Sequence, residues 1–265
     1  MPTSIDSLKM YVSAQISDGL GNRFFQVAAM LFYAKKYGFT AAFVKEWILK
    51  NSHPGPYGIE FFFPELPVLE TVTEKWWSKA ELPFALAHKF VDLPKIEINL
   101  KLQGYFQAWQ YVDVEVPSVL QTKGFHIPRS FFLHVRRGDY LHSACKHHVV
   151  DLRNYIRRAC ALLPSDATVI ICSDDIPWCK ETIPLELGRP DCVFFEGDDY
   201  ETLRMMVHCD LGGICANSTF SWWGAYWGHR MDASRIYTLP DIWGYVPLPP
   251  ADDLLAPWAT IVSVT

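Results

Sequence analysis

The chain lacks any excess of basic charge. Its 24 lysines and arginines stand against 29 aspartates and glutamates, for a net charge of −5. A nucleic-acid binder needs a basic face, so that class is excluded. No apolar run approaches the roughly 20 residues of a membrane span. The opening MPTSIDSLKM has no basic stretch followed by an apolar one, so no signal peptide is expected. These absences point to a soluble, cytoplasmic protein. CxxC pairs are missing too. The seven cysteines are odd in number and scattered, which fits reduced, mostly buried thiols better than a disulfide frame.

Several chemistries are excluded in the same way. Without G-x-S-x-G, an α/β-hydrolase is unsupported. There is no GK[ST] of a P-loop, and the turn Gly19-Leu20-Gly21 lacks the third glycine of a dinucleotide fingerprint. No Asp-x-Asp is present, so a divalent ion bridging a diphosphate is not expected. His142, Cys145, His147 and His148 match no standard zinc spacing. No metal and no cofactor are therefore expected.

What the chain does have is apolar mass. Half of its 265 residues are hydrophobic, with ten tryptophans and twelve tyrosines. That suffices for two domains of ordinary size. We expect a first domain over 1–125, a second over 126–250 and a tail over 251–265. Met10–Ile16 alternates as a strand would. The glycine turn follows, and Phe24, Phe25, Val27, Ala28, Leu31, Phe32 and Ala34 then fall at helical spacing. Asn22 is a candidate N-cap. Gly38 is a good stop. Phe39–Trp47 is read as a second strand and 51–67 as a long aromatic loop. Residues 68–103 show little periodicity.

The second half alternates clearly. Strands are expected at Phe131–Val135, Thr168–Cys172, Val193–Phe195, Leu211–Cys215 and Ile236–Leu239. Helices are expected from Asp151 to Leu163, near Pro177–Thr182, at Tyr200–Cys209 and at Ser221–His229. Such alternation means an α/β fold with a doubly wound parallel sheet. Three polar clusters then fall at strand ends along one sheet edge, where open α/β sheets bind ligands. They are His134-Val135-Arg136-Arg137-Gly138-Asp139, Ser173-Asp174-Asp175, and Asn217-Ser218-Thr219-Phe220-Ser221.

Two guanidiniums at a strand end suit a di-anion, most naturally a pyrophosphate, which arginine grips bidentately. The plainer alternative is salt bridging to local acids such as Asp139. Asn217–Ser221 offers hydroxyls and a helix N-terminus, both phosphate donors. Asp174 and Asp175 would accept from ribose hydroxyls or a base, or else stabilise a helix start. Asp139 is either a general base or an orienter of an arginine. Orientation is favoured, because adjacent cations weaken a base.

The motifs GLGNRFFQ (19–26), GYFQ (104–107), HVRRGDY (134–140), SDD with Trp178-Cys179 beyond it, and ANSTFSWWGAYW (216–227) resemble, in order and rough spacing, the bacterial-type α-1,2-fucosyltransferases. The resemblance covers about residues 10–245. It implies a GT-B architecture, two Rossmann-like domains facing across a cleft. It also implies a GDP-L-fucose donor, inversion at the fucose carbon, no metal, and transfer to the 2-hydroxyl of a galactose-like glycan acceptor. Arg136 would then hold the β-phosphate, and Arg137 would support the loop or reach the donor. His134 would sit near the nucleotide. Ser218, Thr219 and Phe220 would bracket the diphosphate. Gly19, Gly21 and Asn22 would approach from the first domain. Asp139, His142 or Asn22 would orient the attacking hydroxyl. The chain departs from the family at Glu201-Thr202-Leu203, where an aspartate contacting guanine is expected. Either Glu201 substitutes or base selection is altered. Two rival readings are a transferase of another GDP-sugar and a degenerate, non-catalytic GDP-sugar or glycan-binding module.

Overall fold

The computed structural model describes residues 9–49, 56–245 and 248–265, without the side chains of 143 and 144. Among these, the residues before position 50 together with Ile59–Val114 form one compact unit. Residues 56–58 and Glu115–Thr265 form another.

The first unit begins with β1 (Tyr11–Ala14) and α1 (Leu20–Tyr37), as the periodicity predicts. α1 buries most of its circumference, Phe24, Phe25, Val27, Ala28 and Met30 included. It ends at Gly38, whose φ of 76° lets its N–H reach the Ala34 carbonyl. That left-handed turn is one glycine enters without strain. The helix is preceded by Gly19, not Asn22, which lies inside the first turn. The expected second strand is broken into β2 (Thr40–Ala41) and β3 (Phe43–Val44), with a 3-10 turn at Lys45–Trp47. Of the aromatic loop 51–67, residues 51–55 lie outside the described residues. Its later part contains the helical turn α2 (Ile59–Phe62), whose Phe62 packs edge-on against Phe24 at 5.1 Å.

Residues 68–103, which carry little periodicity, hold three strands: β4 (Val68–Leu69), β5 (Trp77–Glu81) and β6 (Asn99–Gln103). β5 is an edge strand reading Trp-Ser-Lys-Ala-Glu, and a strand with so few apolar positions leaves no pattern. β6 alternates, but only through Leu100 and Leu102. The resulting sheet runs β2-β1-β6-β5 with every pairing parallel, and β3 pairs with β4.

The second unit follows the predicted alternation. After the helical turn α3 (Ser118–Gln121) come β7 (Ser130–Val135), α4 (Arg153–Cys160), β8 (Thr168–Ser173) and α5 (Ile176–Leu187). Then follow β9 (Val193–Phe195), α6 (Asp199–Val207), β10 (Gly212–Ile214), α7 (Thr219–Met231) and β11 (Ile236–Pro240). The last strand, β12 (Thr260–Val262), lies in the segment expected to be a tail and pairs with β11. The sheet runs β12-β11-β10-β7-β8-β9, all parallel. α5 outruns its expected end, with Pro184 inside it and Gly188 closing it at φ 61°.

All six residues of β7 are buried. Phe131, Leu133 and Val135 join Tyr155, Val169, Ile171 and Ile214 in one core. Tyr155 is fully buried, yet its hydroxyl meets the Cys215 carbonyl at 2.7 Å and the Thr238 carbonyl at 3.0 Å. A buried hydroxyl so satisfied fixes α4 beneath the sheet instead of destabilising it. Trp222, Trp223 and Trp227 of α7 are fully buried too. With Trp47 and Trp243, half of the ten tryptophans are therefore core.

Candidate functional site

Because the sheet is parallel, β10, β7 and β8 lie side by side and end on one edge. The three polar clusters are brought together there, as the alternation predicts. Register places Val135 beside Ser173, so Arg136 and Asp174 leave adjacent strands at the same level.

Arg136 is held by two carboxylates. Its guanidinium meets Asp139 Oδ1 at 2.7 Å and Asp174 Oδ2 at 3.1 Å, with its side chain 23% exposed. It also lies over the Tyr140 ring, 5.5 Å from the centroid. Arg137 turns the other way. Its Nε donates to Asp175 Oδ2 at 3.0 Å, and its guanidinium lies 3.9 Å over the Trp178 indole. It is thus laid against the first turn of α5, where a cation over an indole face is favourable. The plainer of the two sequence readings describes this state: Asp139, Asp174 and Asp175 neutralise the arginines. One of Arg136's five N–H groups donates to Asp139 Oδ1, and Nη1 faces Asp174 Oδ2. The others can still take a phosphate fork.

Asp174 does not project as a free acceptor for ribose. One of its oxygens pairs with Arg136 and the other accepts the Arg137 backbone N–H at 2.9 Å. Asp175 caps α5, accepting from the Trp178 N–H at 3.2 Å. Gly138 is required by this closeness: a Cβ there would stand 2.3 Å from Asp174 Oδ2. Asp139 faces Arg136 and pairs with it.

His134 is buried on β7, two residues before Arg136, with its ring 5.8 Å from Phe220. Burial, and secondarily the Arg136 charge, pull its pKa down to about 3, so it is neutral. Its Nδ1 has no hydrogen-bond partner among the described residues. Ser218 precedes α7 without capping it, and Ser221 turns its hydroxyl to the Ser218 carbonyl at 3.3 Å. Thr219 and Phe220 open the helix. The first-turn N–H groups of α7 thus lie beside the end of β7, as an anion requires.

Asn217 differs from its expected role. Its amide donates to the His148 carbonyl at 2.8 Å and the Trp243 carbonyl at 3.0 Å, tying two segments instead of presenting a donor to phosphate. Tyr140 completes this clasp. Its hydroxyl donates to the Asn217 carbonyl at 3.0 Å, and its ring stacks on His148 at 4.8 Å. Burial pushes that hydroxyl's pKa up, so it stays protonated as a donor. Sequence reasoning gave Tyr140, His148, Trp178 and Trp243 no role in the site. Tyr140 and Trp178 carried a signal, their places in HVRRGDY and beyond SDD.

Glu201 sits at the start of α6, beyond the edge strand β9. It is committed to a capping box: its N–H donates to Asp198 Oδ1 at 2.8 Å, and its carboxylate accepts from the Asp198 N–H at 3.1 Å. In the first unit, Gly19 and Gly21 shape the start of α1. Asn22 Oδ1 there accepts from Gln107 Nε2 at 2.8 Å, joining the GLGN and GYFQ motifs. His142 begins a 3-10 segment over 143–148. Among the described residues no group of three His, Cys, Asp or Glu could hold a metal ion.

This architecture is shared with a solved fucosyltransferase, NodZ from Bradyrhizobium. The TM-score is 0.53 at 13% identity, over 82% of this chain and 92% of that one. That likeness is one of fold: an α/β protein with parallel sheets. The sequence goes further. Residues 114–238, which span all three polar clusters, match the family described as Glycosyl transferase family 11.

The relatives agree. An α-1,2-colitosyltransferase of Escherichia coli is 33% identical over 107 residues, covering 37% of this chain and 36% of the relative. The O-antigen biosynthesis glycosyltransferase WbnK of Escherichia coli is 32% identical over 180 residues, covering 56% and 58%. Galactoside α-(1,2)-fucosyltransferase 2 of Mus musculus is 26% identical over 254 residues, covering 84% and 70%. The matched region thus spans about a third to three-fifths of the two bacterial relatives.

Proposed function

We propose that this protein is an inverting, metal-independent glycosyltransferase. It moves L-fucose from GDP-fucose to the 2-hydroxyl of a galactose-like acceptor glycan, in a GT-B arrangement whose two Rossmann-like domains face across a cleft. The observation that carries the reading is Arg136: within the segment that matches family 11 it stands at a strand end, braced by Asp139 and Asp174 beside the N-terminus of α7.

The chemistry follows from charge. As the bond from the sugar carbon to the β-phosphate oxygen breaks, its electron pair goes to GDP and negative charge grows on that phosphate. A guanidinium already fixed in place stabilises this charge without reorganising. The first-turn N–H groups of α7 add to it. The sugar becomes oxocarbenium-like, and the acceptor oxygen attacks the opposite face and gives up its proton. Asp139 is paired with Arg136, so in this reading cleavage runs ahead of attack and only orientation of the hydroxyl is needed. Among the described residues no helix is long and apolar enough to cross a membrane. A cytoplasmic site of action, where sugar nucleotides are made, accords with that.

A second reading changes only the donor. The α-1,2-colitosyltransferase relative is named for a different deoxysugar, and the carboxylate of Glu201 is occupied by its capping box. A donor panel separates the two. The decisive test of both is Arg136→Ala. Transfer should fall by about a hundred- to a thousandfold, the range known for removing one transition-state donor, while the melting temperature holds. Near-normal turnover would end the proposal.

A further inference from the structure

The first unit has a sheet edge of its own, and its chemistry is opposite to that of the second. β1, β6 and β5 are adjacent and parallel, so the residues just past their C-terminal ends share one edge. Asp18 follows β1, Phe84 follows β5 and Tyr105 follows β6. Phe84 and Tyr105 pair edge to face, with ring centroids 6.0 Å apart. Phe84 remains 50% exposed. Tyr105 is half-buried, and burial, together with the charge of the nearby Asp18 carboxylate, pushes its hydroxyl's pKa up to about 12.

The setting is rigid. Asp18 is held at φ 64°, a conformation rare outside glycine. Ser17 Oγ donates to its carboxylate at 3.1 Å. Arg23 Nε grips its carbonyl at 2.8 Å. Gln26 binds the Ser17 N–H at 2.9 Å and the Gly104 carbonyl at 3.2 Å, locking the two turns together. Arg23, the neighbouring cation, is buried and spends its other terminal contact on the Leu49 carbonyl at 2.8 Å. This edge therefore presents an anion and aromatic rings. It would repel a phosphate. A neutral ligand with an apolar face and adjacent hydroxyls fits it.

We propose that Phe84, Tyr105 and Asp18 form a carbohydrate subsite. A pyranose lays its C–H face on Phe84 and directs vicinal hydroxyls to the Asp18 carboxylate. This deepens the transferase reading and rests on it in one respect only, that the bound sugar is the acceptor.

Lactose is the probe. Its binding to the whole protein is measured by saturation-transfer NMR, its KM is measured in the transfer reaction, and GDP affinity is measured by calorimetry. Phe84→Ala and Asp18→Asn should each weaken lactose about tenfold, the loss expected of a central contact. GDP affinity should stay within about twofold, and Phe84→Trp should restore binding because it keeps the stacking face. Phe84 is exposed, so its replacement leaves the fold intact even if Asp18→Asn does not. Lactose binding within about twofold of the parent in Phe84→Ala overturns the subsite, even where transfer proceeds. Binding that depends on Phe84 in a protein that transfers nothing upholds the subsite and sinks the acceptor assignment.

Discussion

At the scale of single residues, the site turns on Asp174. One carboxylate holds the Arg136 guanidinium and the Arg137 backbone N–H at once, so it sets both the direction of the side chain and the path of the loop that carries it. Gly138→Ala tests this. The new Cβ would meet Asp174 Oδ2 at 2.3 Å and Cγ at 2.9 Å, and one of the two must move. Displacing a fixed charge by about 1 Å costs on the order of a hundredfold in rate. The expected outcome is a kcat lowered by about ten- to a hundredfold with little change in melting temperature. A parent-like kcat would remove Asp174 as a positioning residue. The sequence shows that arginines stand at a strand end, because a short apolar run stops at them. It does not show which anion meets them, because Arg137 and Asp174 are 37 positions apart and only the β7–β8 register joins them. Asn217 misled for the same reason: its partners, the His148 and Trp243 carbonyls, are 69 and 26 positions away.

At the scale of elements, legibility followed burial. β7 is buried at every position and reads as an apolar run broken only by His134. β5 alternates between exposed and half-buried residues and was invisible. Helix ends were clearer where a cap exists. Gly38 and Gly188 close α1 and α5 in left-handed turns, one foreseen and one not, since the second helix was expected only to about Thr182. The start of α6 carries a full capping box between Asp198 and Glu201. Its position matters, since α6 follows β9 on the same sheet edge as the arginines. Asp198→Ala should cost about 1 kcal/mol, the usual value of an N-cap, visible as a lowered urea midpoint with an unchanged slope. A midpoint equal to the parent's would mean that the box contributes nothing. Glu201→Gln, which keeps the return bond, should then leave donor affinity unaltered, whereas a loss specific to the guanine nucleotide would return Glu201 to the base-binding role.

At the scale of the whole molecule, burying titratable groups couples folding to pH. His134, His208 and His229 are all held below the usual histidine pKa, chiefly by burial. Each is favoured neutral when folded and takes up a proton near pH 6.5 when unfolded. The unfolded chain therefore binds more protons between those two pKa values, and stability falls as pH drops through that window. The depressed carboxylates Asp151, Asp210 and Asp232 act in the same direction, but only below their ordinary value of 3.8. A comparison of pH 7 with pH 5 thus isolates the histidines. For His134, from 6.5 unfolded to about 3 folded, the loss by pH 5 is about 2 kcal/mol. Thermal melts across this range should show the drop, and His134→Gln should flatten it while lowering stability at pH 7. An acid limb equally steep in that variant would mean that the imidazole beside Arg136 is protonated in the native fold. The edge would then carry three cations, Arg136, Arg137 and His134, against its three carboxylates.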